Sequence, residues 1–343
     1  MQIINPNTLP KDCNVTFIIG NGFDLGLNMK TKYADVYEGY IKAPSSSNVI
    51  INFKEELKSR SVDNYENWSD FEMGMAEYAK FLLTEDELME CVRDFKGYMV
   101  KHLQEENKRM QEIIKSASNQ RELITELKRS LDSFHNSLIP NDRNQISKIM
   151  NGAMIKRTYI TFNYTSTLES FLGLYFKHDK VMETAPVHIH GTLGRDVVLG
   201  IDNVEQIKGS SFSLTSKGER AFVKTAFNKQ YDNARVDAAK NIILQSDVIC
   251  IYGFSMGDSD KTWNDLLARW LIEKSNHHLV VYQYDIAKYN YYNYDVIMEK
   301  EDEKKSQLLK KLGNDRVHAT IGSALDLFGG NMKFESVLEE ITK

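Results

Sequence analysis

The first sustained apolar run of the chain lies in "NVTFIIG", where residues 15–19 are mostly β-branched or aromatic and Gly20 ends the run. So short a run with so abrupt a stop predicts a buried strand. Past the glycine turn, Tyr33, Val36, Tyr37 and Tyr40 fall at i, i+3, i+4 and i+7, one face of a helix that Thr31 is placed to cap. From about residue 68 to about 150 the period is helical throughout. Ser69 with Glu72 and Thr84 with Glu87 have capping-box spacing, and Leu88, Cys91, Val92, Phe95, Met99, His102 and Leu103 trace one face of a long helix. Ile124, Leu127, Leu131, Phe134 and Leu138 follow at near-heptad spacing, so these two helices are expected to pack as an antiparallel hairpin. Core packing accounts for both stripes, and they carry no chemistry. Proline marks breaks at "APSSSN" and "LIPNDRN", and there is no internal repeat.

Strand patterns return in "TYITFNYTSTLE", where Ser166 and Glu169 again have capping-box spacing. "PVHIHGTLG", "DVVLGID", "SDVICIYGFSMGDSD" and "HLVVYQYD" follow, and in the first, third and fourth polar residues stand at or just beyond the end of an apolar run. Strands alternating with helices predict an α/β, Rossmann-like fold with a mostly parallel sheet. Its strands are expected near residues 14–19, 158–162, 187–190, 247–252 and 279–284. Residues 13–45 and 151–325 would form the core, with residues 46–150 as a large helical insertion. Ligands in such sheets bind outside the carboxyl ends of the strands, where the polar turns fall.

Composition narrows the function classes. At 343 residues and 42% hydrophobic, the chain can bury a large core. A formal net charge of -5 argues against general nucleic-acid binding, which needs clustered Lys and Arg. Cys13, Cys91 and Cys250 are too scattered for a disulfide framework or a zinc knuckle, so they are expected to be reduced and no zinc is expected. With no signal-peptide pattern and no run of eighteen apolar residues, a cytoplasmic protein without membrane contact is expected.

Gly20, Gly22 and Gly26 in "GNGFDLG" are spaced one residue too long for the dinucleotide fingerprint, which disfavours a hydride-transfer enzyme. The glycines permit a close backbone approach, by a ligand phosphate or simply in a tight turn. Asn163 ends a strand, where an amide can hold a ribose hydroxyl or cap a turn. His188 and His190 alternate on one strand. A metal pair lacks a nearby third ligand, so one imidazole as general base is the simpler functional reading, with His188 a satisfied structural residue. Ser255, Asp258 and Asp260 cluster before a helix that Ser259 or Asp260 would cap.

In order, "FIIGNGFDLGLNMKTKY", "WSDFEMGMAEY", "TFNYTSTLE", "HIHG" and "IYGFSMGDSD" resemble the motifs of the AbiH family of bacteriophage abortive-infection proteins, from near residue 13 to about residue 285. That family is similar, distantly, to the sirtuin-like NAD-binding fold, with its G-A-G turn, T-x-N-x-D motif, H-G motif and late G-x-S motif. The resemblance implies Gly20 and Gly22 at the first turn, Asn163 at the nicotinamide ribose, His190 as catalytic base, and Gly253 with Ser255 in the late motif. Asn21, Phe23, Asp24, Thr161, Asp258 and Asp260 are then expected to contact the cofactor. Asn21 stands where sirtuins carry alanine, Thr165 where they carry aspartate, and their zinc-binding cysteines are missing, so hydrolysis of NAD fits better than protein deacylation. Two other functions remain open. In one, Asp24, Glu169, Asp258 and Asp260 are gathered to hold Mg²⁺ in a nuclease or phosphodiesterase. Alternatively, the core is a nucleotide sensor whose helical insertion contacts a partner protein or a second copy.

Overall fold

The computed structural model describes residues 11–116, 120–136, 138–179, 184–231, 233–284, 294–313 and 316–322. At its centre stand six strands: β1 (Asp12–Ile19), β2 (Met154–Thr161), β3 (Val187–His188), β4 (Val248–Tyr252), β5 (His278–Tyr284) and β6 (Val317–Gly322). Every pairing is parallel, in the order β3-β2-β1-β4-β5-β6. The five expected strands are present, and β6 is a sixth. The predicted end of the core at residue 325 lies outside the described residues.

Burial explains why these segments are strands. All five residues of β4, VICIY, are buried, as a strand covered on both faces requires. Along β1 the side chains alternate: Phe17 and Ile19 enter one core and Ile18 the other. Helices Asn233–Gln245 and Lys261–Glu273 cover the Ile18 face, with Trp270 and Leu271 fully buried there.

The helices between β1 and β2 do not form one separate core. Helix Glu85–Ser116 has 32 residues, about 48 Å at 1.5 Å per residue. Its first half, Leu88 to Leu103, packs with Tyr37, Phe53, Trp68 and Phe71. Met110 and Ile114, near its end, join the core on the Phe17 face of the sheet, as do Leu127 and Leu131. The expected hairpin is therefore corrected: helix Gln120–Ser133 packs on helix Thr167–Asp179, and Phe134 meets Phe17 edge-on at 5.5 Å. The apolar stripe is satisfied in the core on the Phe17 face of the sheet, which Met110 and Ile114 at the end of helix Glu85–Ser116 share.

Two cap assignments also change. Helix Tyr33–Tyr40 is preceded by Lys32, because the Thr31 hydroxyl donates to Asn21. Helix Phe71–Tyr78 is capped by Asp70, which accepts from Met73 N at 3.1 Å, and this frees Glu72 for the interior. No described helix is long and apolar enough to cross a membrane.

Candidate functional site

The strand order reverses between β1 and β4, and there the two strand ends are stitched together. Gly20 N donates to Tyr252 O and Gly22 N to Gly253 O, each at 2.9 Å, and Phe23 N donates to Gly20 O at 3.0 Å. A Cβ on Gly20 would stand 2.5 Å from Gly253 O, and one on Gly22 would overlap Gly253 Cα. Gly253 itself has φ +64, a left-handed conformation that favours glycine. The close approach that these glycines allow is thus, first of all, that of one backbone to another. Their amides donate within the fold, and the Asn21 amide group clasps Thr31, giving to its carbonyl at 3.0 Å and accepting from its hydroxyl at 2.6 Å.

Above this junction lies a cavity of about 590 Å³, at the crevice where an open parallel sheet binds its ligands. Gly20, Asn21, Gly22, Asp24 and Asn163 line it, together with His190, Gly253, Ser255 and Asp260. The helical insertion supplies the facing wall through Tyr65, Trp68, Asp70 and Glu72. Another hollow of similar size, lined by residues between 135 and 152, gathers none of the candidate residues.

Asp24 is buried and accepts from the Thr165 hydroxyl at 2.6 Å through Oδ2, while its Oδ1 has no hydrogen-bond partner. Burial pushes this carboxyl up to about 7, against the pull of hydrogen bonding from Thr165 and Asn163. The Asn163 side-chain oxygen is likewise buried without a partner. Two buried acceptors without partners are costly in a dry interior, and both belong to residues of the cavity wall.

His190 lies just beyond β3, and its Nε2 stands 3.0 Å from Asp260 Oδ1. The same oxygen accepts from Lys224 Nζ at 2.9 Å, and Lys224 also donates to Ser259 O at 3.0 Å and lies 3.8 Å from Glu72 Oε1. Tyr33 donates to the other Glu72 oxygen at 2.9 Å. His190, Asp260, Lys224 and Glu72 are all buried. Burial and then Lys224 hold the His190 imidazole below its ordinary value, outweighing Asp260. Burial alone would raise Asp260, but Lys224 and His190 draw it well below the carboxylate range. Burial pushes Glu72 up to about 8 despite Lys224. A neutral imidazole beside an ionised carboxylate donates through Nε2 and keeps its lone pair on Nδ1.

Three expected contacts lie elsewhere. Phe23 is in the core against Phe171 and Tyr252, because the turn directs its ring under the sheet edge. Thr161 does not line the cavity; its hydroxyl accepts from Asn163 N at 3.1 Å and so orients that residue. Asp258 is exposed and also outside the lining. His188 is satisfied structurally: Nδ1 is 2.9 Å from Asn163 O and Nε2 meets Glu169. The four carboxylates considered for Mg²⁺ are therefore not gathered: Glu169 faces His188, Asp260 faces Lys224, and Asp258 faces solvent. Among the described residues no group of three or more His, Cys, Asp or Glu side chains is placed to hold a metal ion.

Sequence reasoning missed Lys224, Glu72 and Tyr33. A lysine inside the apolar stretch "RAFVKTAF" is a signal of buried pairing, but it does not name the partner. Glu72, at capping-box spacing from Ser69, reads as a cap residue.

Comparison with curated proteins gives no match. The family model described as Bacteriophage abortive infection AbiH matches residues 16–282, which run from within β1 through most of β5 and include every residue of the site described above. With more than half of its length matched, and with the motif turns meeting in one cavity, the chain belongs to the AbiH family of bacteriophage abortive infection proteins.

Proposed function

We propose that this protein acts in abortive infection by binding NAD, or a closely related nucleotide, in the cavity over β1 and β4 and hydrolysing its nicotinamide–ribose bond. The observation that carries the reading is the meeting of Asn163, Asp24 and His190 in one cavity, with two buried acceptors left without partners. The ribose sits against the Asn163 and Asp24 side chains in the cavity wall. The C1′–N bond breaks with its electron pair leaving on nicotinamide, which departs neutral and needs no acid. A water oxygen bonds to C1′, and its proton passes to His190 Nδ1 and then to solvent. Asp70 and Asp260 in the lining favour the cationic sugar that forms on the way.

The wall that the helical insertion supplies through Tyr65, Trp68, Asp70 and Glu72 favours a second reading, in which the cavity senses a nucleotide without turning it over. Incubation of purified protein with NAD, with and without a phage lysate, separates the two. Release of nicotinamide supports the enzyme. Saturable binding without release leaves the sensor, and neither binding nor release removes both.

A further inference from the structure

His188 and His190 are two residues apart, and each faces a carboxylate, yet their surroundings differ in one respect. The Glu169 partner of His188 has its second oxygen buried without a hydrogen-bond partner, whereas the Asp260 partner of His190 shares its Oδ1 with Lys224. We infer that Lys224 is the positioning residue for His190: with Glu72 it holds Asp260 in one orientation, so that His190 donates through Nε2 and offers Nδ1 to the cavity. The consequence for NAD cleavage rests on the reading above; the placement of the proton does not.

A buried ammonium persists only where it is paired, and removal of one partner strands the other. Lys224 is only 5% exposed, and its three oxygen neighbours come from two separate segments, Ser259 and Asp260 before helix Lys261–Glu273, and Glu72 in helix Phe71–Tyr78. Asp260 cannot turn away without leaving that cation uncompensated. The other charged and titratable groups around the pair are accounted for. Arg235, held by Asp196 at 2.6 Å, also opposes protonation of His190, and the Tyr164 ring lies 6.1 Å from the imidazole. Asp70 and Asp202 are the remaining carboxylates that interact with the Lys224–Asp260 pair, and Asp202 accepts from Thr262. Tyr33 closes the chain by donating to Glu72. His188, without a lysine, provides the contrast: burial alone would lower it, but Glu169 raises it above the ordinary value, whereas His190 is lowered.

The test is an NMR titration of the imidazole nitrogens in the full-length protein, with His190 assigned by the signals missing from His190→Gln. In wild type at pH 7, His190 should be neutral with the proton on Nε2, a measurement that needs no other variant. An Nδ1–H tautomer or an imidazolium would overturn the proposal. Lys224→Met should raise the His190 midpoint by roughly one to two pH units, since an opposing cation is lost and Asp260 remains. Lys224→Arg should restore most of the shift, and His188 should not move. An unchanged His190 midpoint in folded Lys224→Met would also overturn it. The pH profile of NAD cleavage is measured in parallel and should move on its acid side by the same amount. If wild type releases no nicotinamide but His190 behaves as stated, the NAD reading fails and Lys224 keeps its role. If NAD is cleaved with the same profile in both proteins, Lys224 loses that role and the reading survives.

Discussion

Gly22 and Gly253 meet backbone to backbone at the point where the sheet reverses its order: a Cβ on Gly253 would stand 2.6 Å from Gly22 Cα. The two turns that carry the candidate residues are fixed to each other by this contact and by the Gly22 N to Gly253 O hydrogen bond of 2.9 Å.

Gly22→Ala and Gly253→Ala should therefore both destabilise the fold, by about 1 to 3 kcal/mol for a forced backbone shift, with additional strain at Gly253 from its positive φ. Gly97→Ala is the contrast. It lies exposed within helix Glu85–Ser116 with nothing within 4 Å of the added methyl, so it should stabilise by about 0.5 to 1 kcal/mol. Urea unfolding midpoints check all three, and equal effects at Gly22 and Gly97 would refute the packing argument.

His190→Ala should leave the fold intact and lower NAD cleavage on the order of 10² to 10⁴, the usual cost of losing a general base. Asn163→Ala should act similarly by releasing the sugar. A chelator should change neither wild type nor variant, because the four candidate carboxylates are dispersed in the fold. A rate that EDTA abolishes would refute this chemistry.

The buried carboxyl of Asp24, at about 7 in the folded protein, links stability to pH. Between the ordinary carboxylate value and about 7 the folded state holds a proton that the unfolded state has lost, so the unfolded state binds fewer protons and stability falls as pH rises. The stabilisation is complete below the unfolded value and is lost as pH passes through about 7. Asp24→Asn removes this dependence. Its Tm relative to wild type should therefore be higher at pH 8 than at pH 4, and a constant difference would argue against the shift.

At the opposite edge of the sheet His278 Nδ1 lies 2.8 Å from His318 Nε2, and His318 Nδ1 stands 3.1 Å from Asp142 Oδ2. Burial, then His318, lowers His278 to about 4. Here the sign is reversed: between about 6.5 and about 4 the unfolded state binds the extra proton, so stability is complete above 6.5 and is lost as pH falls. His278→Gln should flatten the fall of Tm between pH 6.5 and 4, and calorimetry across that window checks it.

Periodicity and strand length were sufficient for the parallel strands β1 to β5. Residues 15–19 and "VICIY" are apolar without alternation because both faces of these strands are covered, and that is a local property of the sequence. The turns "GNG", "TFN", "HIHG" and "GFS" were legible for the same reason, since each follows its own strand and such ends share one edge of a parallel sheet. What the sequence could not supply was partnership across long separations. Lys224 is 36 residues from Asp260 along the chain, and Glu72 is a further 152 residues away on the other side, so no spacing rule joins them. The Phe134 stripe could as well have met a neighbouring helix as the sheet, because an amphipathic face records that it is buried and not against what. Whether the Gly20–Gly22 turn faces a phosphate or another backbone was likewise decided only by folding, which brings Gly253 into the space that the missing side chains leave.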